Sequence, residues 1–220
     1  MQVLTLGAAL AVAFIIITVT NVIGSRANLR RARRIVRLLE ATFRPEEARY
    51  SRVGGNNGYH FLYETGTTFG LVEGTLTFLP RESLIYLPFA LLAHRKDQLR
   101  IVVRCDSTPP GQGRIVEARR LQSGWLPFEE VEHLNPTSKS RDGRDFLLLW
   151  YNPIVRDWLA EAVDRIPDVS LLQQIAYNGT DHTFLIEIEP RKQMLRSTLE
   201  FFASRIASFS AERSSRTACL

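Results

Sequence analysis

Cysteine and histidine are scarce in this chain. Its 220 residues hold two cysteines, Cys105 and Cys219, and four histidines, His60, His94, His133 and His182, standing far apart. Two cysteines exclude a disulfide scaffold and a four-cysteine zinc site. No pair of histidines has helical ligand spacing, so neither a His-rich metal centre nor any other cofactor site is expected. A Gly-rich phosphate loop is also missing. Gly66, Gly70 and Gly74 step by four, but they fall in a hairpin pattern, not at a helix start. Glycine (13) and proline (10) are too few for a fibrous or low-complexity chain. Lysine is rare too, three residues against 25 arginines.

Nothing among the remaining polar residues assembles a nucleophile or an acid–base pair. Glu129, Glu130 and Glu132 precede His133 as a solvated acidic face. Asp157, Glu161 and Asp164 lie on one helix with Arg156 and Arg165, the pattern of a salt-bridged surface helix. Cys105 ends an apolar strand and reads as a small hydrophobe. Trp125, Trp150 and Trp158 read as core, with Trp125 in SGWLPF the one with a second reading, an exposed interface anchor. The residues therefore point away from an enzyme.

Charge is unevenly placed. Arg26, Arg30, Arg31, Arg33, Arg34 and Arg37 follow one another with no acid between them. The stretch from Arg191 to Leu220 carries Arg191, Lys192, Arg196, Arg205, Arg213 and Arg216 against two acids. The rest of the chain holds 16 bases and 21 acids. A mildly acidic body with two basic ends predicts anionic contacts at those ends, lipid headgroups or RNA phosphates.

Apolar content is 45%, enough for one domain with a core, and it is concentrated at the start. Met1 to Ser25 carries no charged side chain, and Val3–Ile23 reads VLTLGAALAVAFIIITVTNVI. About 20 apolar residues cross a bilayer core of ~30 Å. The absence of a basic n-region and the length of the apolar run favour an uncleaved anchor over a signal peptide. With no base before the span and six arginines after it, the positive-inside rule predicts an outside N-terminus and a cytoplasmic body. The membrane would be the plasma membrane of a prokaryote or the endoplasmic reticulum of a eukaryote.

The spacing predicts four regions: an anchor over 1–25, a basic juxtamembrane helix over 26–43, a body over 44–190, and an amphipathic basic helix with a tail over 191–220. In the juxtamembrane helix Leu29, Ala32, Val36, Leu39 and Phe43 form an a/d seam, packed on its own domain or on a second copy in a homodimer. In the body, 51–58 reads as a loop. Tyr59–Glu64 and Phe69–Phe78 read as a hairpin with Val72, Gly74, Leu76 and Phe78 on one face. A helix is expected from Pro80, with Leu84, Leu87 and Leu91 buried and a kink or split at Pro88. Strands follow at 97–105, with Leu99, Ile101 and Val103 on one face, and at 114–119. Residues 135–143 read as a mobile polar loop and 146–151 as a central strand. A helix over 153–166 turns Ile154, Trp158, Leu159 and Val163 inward. A hairpin spans 171–189, and a last helix opens at Pro190 with Leu195, Leu199, Phe202, Ile206 and Phe209 buried and a frayed end after Ser210. The fold class is α+β: a mostly antiparallel sheet with helices on one face, preceded by a single N-terminal transmembrane helix.

The stretch Leu79–Val103, LPRESLIYLPFALLAHRKDQLRIVV, resembles the corresponding segment of the calumin-like family, the coiled-coil-domain membrane proteins of the endoplasmic reticulum's multipass translocon and intramembrane chaperone complex. Leu79, Arg81, Leu84, Asp97, Gln98, Leu99, Ile101 and Val103 fit that pattern, as do Glu73 and Gly74 followed by Leu76. The acidic lumenal region and the long C-terminal coiled coil of that family have no counterpart in these residues, so calcium storage does not carry over. The resemblance implies a compact relative that acts without catalysis in the insertion or folding of multipass membrane proteins. Its expected partners are the lipid bilayer, Sec translocon subunits, a small membrane chaperone and the ribosome.

Overall fold

A computed structural model describes residues 2–55, 57–66, 69–121, 133–191 and 193–217. The chain begins as one uninterrupted helix, α1 (Gln2–Phe43). At 1.5 Å per residue this rod is about 63 Å long. Its first part stands alone, with Leu6 to Val19 exposed all round, and from Gly24 onward one side is buried. The apolar segment and the basic helix are therefore one continuous element.

Among the described residues nine antiparallel strands follow: β1 (Glu47–Val53), β2 (Gly58–Glu64), β3 (Phe69–Thr77), β4 (Gln98–Cys105), β5 (Gln112–Glu117), β6 (Asn135–Arg141), β7 (Arg144–Trp150), β8 (Leu172–Asn178) and β9 (Thr183–Ile188). They form one sheet in the order β1-β2-β3-β4-β9-β8-β5-β7-β6. The helices are α2 (Tyr86–Leu92) between β3 and β4, the short α3 (Ala118–Leu121) after β5, α4 (Pro153–Arg165) after β7, and α5 (Leu195–Thr217) after β9. The expected α+β class, antiparallel sheet and single long apolar N-terminal helix are all present.

One face of the sheet carries the core. Leu99, Ile101 and Val103 of β4 and Phe184, Ile186 and Ile188 of β9 alternate inward, as period-two strands must. Buried side chains of α1, α4 and α5 join them in one continuous cluster. Trp158 of α4, Tyr177 of β8, Phe184 of β9 and Phe209 of α5 stack as an aromatic knot, with Trp158–Phe209 ring centroids 5.1 Å apart. Gly74 fits beneath an aromatic ring: a Cβ there would lie 2.5 Å from the Phe61 ring and 2.2 Å from the Arg100 carbonyl oxygen.

Local chemistry accounts for the elements. Asn152 caps α4, its side-chain oxygen accepting the Val155 N–H at 2.9 Å, and Pro153 occupies the first helical position, where a missing N–H costs nothing. Asp142 and Gly143 both take positive φ, 50° and 71°, and close the tight β6–β7 hairpin.

Several expectations are corrected. The loop expected over 51–58 is mostly the second half of β1 and its turn, and the mobile loop expected over 135–143 is β6 with its Asp-Gly turn. Both are edge strands with largely exposed side chains, so neither shows the alternation that marks a half-buried strand. The strand at 146–151 is β7, second from the edge rather than central. Val155, not Ile154, faces the core from α4. The last helix opens at Leu195, not Pro190, and continues through Thr217 instead of fraying after Ser210. The largest correction concerns the segment after Pro80. It makes turns to Ile85 and then the seven-residue α2, in which only Ala90 is buried. Leu84 and Leu91, expected in the core, are exposed. Pro88 produces no kink, because it sits in the first turn of α2, where no intrahelical N–H bond is required of it.

Candidate functional site: a basic cleft where the long helix meets the body

The site is built around the point at which α1 stops being exposed. Gly24 lies directly against the backbone of the segment after β3, and a Cβ on it would come within 2.2 Å of the Arg81 carbonyl oxygen. One turn further, Asn28 is fully buried. Its amide donates to the side-chain oxygen of Asn57 and to the Leu79 carbonyl, both at 3.0 Å, and its own oxygen accepts from Arg81 Nη1 at 2.9 Å. Asn57 in turn donates to Glu82 Oε1 at 2.5 Å. One buried amide thus ties the rod to three parts of the body with all its polar groups satisfied.

Asp97 closes the other side of the joint. Arg81 grips its carboxylate with two parallel bonds of 2.8 Å, the planar fork that suits a guanidinium–carboxylate pair. Arg31 of α1 adds a third bond at 3.0 Å, and the Leu79 N–H donates to Asp97 Oδ1 at 2.9 Å. The Arg81 and Asp97 side chains are only 18% and 15% exposed, so this pair is largely out of water. Residues 80–96 therefore form an excursion whose neck is clamped to itself by Arg81–Asp97 and to α1 by Asn28 and Arg31.

Beside the neck lies an open cleft of about 660 Å³ between α1, the end of α2 and the start of α5. Arg31, Arg34, Arg81, Arg95, Lys96 and Arg191 line it, against Asp97, Asp168 and Glu189, leaving three positive charges in excess. Asp97 is taken up by Arg81 and Arg31. Glu189 accepts from Lys96 at 2.9 Å and from Arg191 at 2.9 and 3.0 Å. Burial alone would raise the Glu189 carboxyl, but the bonds from Arg191 and Lys96 outweigh it and hold the group below the usual carboxylate range. Arg34 and Arg95 have no carboxylate partner among the described residues. The cleft is thus a concave cationic surface with apolar walls from Ile35, Leu38, Leu91 and Leu195.

The arginines singled out by sequence divide into three groups. Arg26, Arg30, Arg33 and Arg37 are exposed on α1 beyond the end of the apolar span, and Arg31, Arg34 and Arg191 belong to the cleft. Arg196 and Arg205 are engaged elsewhere. Arg196 pairs with Glu200 one turn along α5, and Arg205 holds Glu161 of α4 at 2.6 Å, tying two helices together instead of presenting a free cation. Lys192, Trp125 and Glu129, Glu130 and Glu132 lie outside the described residues. The expected seam also finds its place: Ala32, Leu39 and Phe43 are buried in the chain's own core, joined by Ile35, whereas Leu29 and Val36 are only partly buried. A homodimer through that seam would have to give up intramolecular packing.

The pattern residues of the Leu79–Val103 segment have unlike roles. Leu79, Arg81 and Asp97 build the neck; Ile101 and Val103 are core; Gln98 lies on the opposite face of the sheet, 3.3 Å from the Gln173 amide oxygen; Glu73 faces the same way; Leu84 is exposed on the excursion. Asn28, Asn57, Arg95, Lys96 and Glu189 went unrecognised in the sequence. The one available signal was Asn28 itself, a poor helix former four residues after a glycine in a helix otherwise rich in arginine and aliphatics.

Among the described residues no three metal-ligating side chains converge. The one described cysteine, Cys105, is buried, and burial pushes its thiol up to about 11. No family model matches the chain, and no curated protein matches it.

Proposed function

We propose that this chain is a membrane-anchored, non-enzymatic accessory factor whose body is held against the cytoplasmic face of a bilayer, where it serves the insertion or folding of multipass membrane proteins beside a Sec-type channel. The observation that carries the positional part is the unbroken α1, apolar and exposed to Ile23 and locked to the body from Gly24 by Asn28 and the Arg81–Asp97 clamp. A helix that long and apolar can cross a membrane. Because it is one rod, the body cannot swing away from the surface it emerges from. Arg26 and Arg30, about 5 and 10 Å beyond Ile23 along the rod, then lie beside the headgroups, where each base near an anionic surface contributes about 1 kcal/mol, and the cleft faces the membrane surface from about 12 Å or more beyond Ile23. Mechanistically the protein works by position and charge. The role beside the channel follows from the resemblance carried by Leu79, Arg81, Asp97 and the strand after them.

Two measurements test this. Protease treatment of sealed vesicles with the cytoplasmic face outward should digest the body; protection would reverse the topology. Detergent-solubilised full-length protein should co-sediment with ribosomes or channel subunits at low salt and lose that association steeply as salt rises, since phosphate contacts release counterions. No association at any salt would remove the insertion role and leave only the anchor.

A further inference from the structure

Helix α2 and the turn before it expose Leu84, Ile85, Tyr86, Phe89, Leu91 and Leu92, an apolar surface out of proportion to a seven-residue helix. We propose that this segment is a second membrane element: an interfacial helix that lies in the headgroup layer of the leaflet from which α1 emerges, with Ile85, Tyr86, Phe89 and Leu92 turned into the acyl boundary and Leu91 on the side of the cleft. The inference rests on α1 lying in a bilayer and does not depend on any role in protein insertion.

Position is the first argument. The exposed apolar part of α1 ends at Ile23, and Gly24, the next residue, touches Arg81 at the base of the excursion. The base is further fixed by Asn28 to Leu79 and by Arg31 to Asp97. At its Arg81 end the excursion thus leaves the body within about one helical turn, roughly 5 Å, of the level at which the span leaves hydrocarbon, and at its Asp97 end it returns beside Arg31, about 12 Å beyond that level along the rod.

The backbone is the second argument. Apolar side chains can enter lipid only if the N–H and C=O groups beside them are already satisfied. The start of α2 meets this condition. The Tyr86 N–H donates to Ser83 Oγ at 3.1 Å, the Leu87 N–H donates to the Ser83 carbonyl at 3.1 Å, and Pro88 has no N–H to satisfy. At the other end the carbonyls of Phe89, Ala90 and Leu91 accept from Ala93, Arg95 and His94.

Charge supplies the third. From Ser83 to Ala93 no residue is charged, and Arg95, with no carboxylate partner among the described residues, and Lys96, bonded to Glu189 but half exposed, follow, with no acid between Glu82 and Asp97. Bases at the edge of an apolar helix bury their stems and keep their charges among phosphates. Tyr86 is the kind of side chain that settles at this depth, with an apolar ring and a polar tip. Seven residues are far too few to cross about 30 Å of hydrocarbon, so the helix lies along the surface, at a depth of about 5–10 Å.

The experiment reconstitutes the full-length chain in phosphatidylcholine–phosphatidylglycerol vesicles with an environment-sensitive fluorophore on single cysteines. Cys219 is replaced by serine, and Cys105 is left in place because it is buried and its thiol is protonated at neutral pH. Labels go on Phe89→Cys, Leu92→Cys, Ile16→Cys in the span and Ser138→Cys on the exposed strand β6. The expected result is blue-shifted emission at positions 89 and 92, with most of it lost to lipids spin-labelled near the headgroup. Position 16 is quenched by lipids labelled near the chain end, and position 138 by neither. Water-like emission at 89 and 92 with position 16 quenched overturns the proposal and leaves the anchor standing. Blue-shifted emission at 89 and 92 without lipid quenching also overturns it, in favour of a second copy covering α2. An unquenched position 16 removes the anchor and this proposal together.

Discussion

Helix α5 presents Leu195, Leu199, Phe202, Ile206 and Phe209, each at most 3% exposed. The α2 segment presents Leu84, Ile85, Tyr86, Phe89, Leu91 and Leu92, each between 44% and 76% exposed. Both are apolar stripes on helices next to the basic cleft. The first lies over the sheet and closes the core against α1 and α4. The second projects from a clamped neck at the end of the body where α1 emerges. An apolar stripe records that side chains share a face and says nothing about what covers that face. In α5 the cover is protein. In α2 the body supplies none, and the nearest apolar phase is the one the span requires.

If that difference is real, the two stripes respond oppositely to truncation. The largest effect is expected for Phe202→Ala in α5, which removes a fully buried ring from the single core. Such a change costs about 3–5 kcal/mol. Denaturant unfolding of the full-length protein in detergent, followed by tryptophan fluorescence, measures it, since Trp158 sits in the core against Phe209. A loss below about 1 kcal/mol would mean that α5 is not seated as described.

Next in size is the neck. Asp97→Ala leaves Arg81 and Arg31 facing each other and the Leu79 N–H without its acceptor. Breaking a buried pair by removing one partner costs about 3–5 kcal/mol, and the remaining solvent contact here brings the expected value to about 2–3 kcal/mol. Asp97→Asn keeps the shape and one acceptor and should cost less. The sharper readout is local: limited proteolysis within residues 83–96 should accelerate more in Asp97→Ala than global unfolding does, because the clamp holds the excursion more than it holds the core.

Much of the body was legible in the sequence because its pattern is regular. The five buried positions of α5 step 4, 3, 4, 3 along the chain, and Leu99, Ile101 and Val103 alternate as a one-faced strand must. Strands β1 and β6 were missed for a physical reason. Each is held by a single ladder at the sheet's edge and keeps most of its side chains in water, so EARYSRV and NPTSKSR show no period of two. The Asp-Gly pair at 142–143 is the one strong hairpin signal on this edge, and it closes the β6–β7 turn inside a stretch whose polar composition otherwise reads as loop. At the candidate site, the arginines from Arg26 to Arg37 were visible as charge alone. The joint they serve was not, since Asn28 meets Asn57, Leu79 and Arg81 across 29, 51 and 53 residues, and no local spacing encodes such meetings. Arg81 and Asp97 were marked by the resemblance, but their pairing became visible only in the fold.

A smaller effect concerns the cleft and acidity. Glu189 is held below its ordinary value in the folded protein, mainly by Arg191 and Lys96 working against burial. A carboxylate whose folded value is depressed adds stability above its unfolded value of about 4.5 and loses it as pH falls through the lower folded value. Glu189→Gln should therefore lower stability by a small amount at neutral pH and flatten part of the acid limb, the two profiles converging as pH falls through the lower folded value. Lys96 is half exposed, so the contribution is below about 1 kcal/mol. If the acid limb of Glu189→Gln superimposes on that of the native chain, the two bases do not grip this carboxylate in solution.

The smallest effect on stability is expected where the sequence places the most conspicuous hydrophobes. Phe89→Ser and Leu92→Ser change side chains that are 65% and 76% exposed, so unfolding of the body should move by no more than about 0.5 kcal/mol. That near-silence decides the comparison when set beside Phe202→Ala. A loss of about 2 kcal/mol or more at Phe89 would mean that α2 packs on protein as α5 does, and the distinction between the two stripes would fall. A silent Phe89→Ser leaves an exposed apolar helix that contributes almost nothing to folding. Such a surface is an aggregation hazard in water, so its presence calls for an apolar phase alongside, and the span that ends at Ile23 brings one within reach.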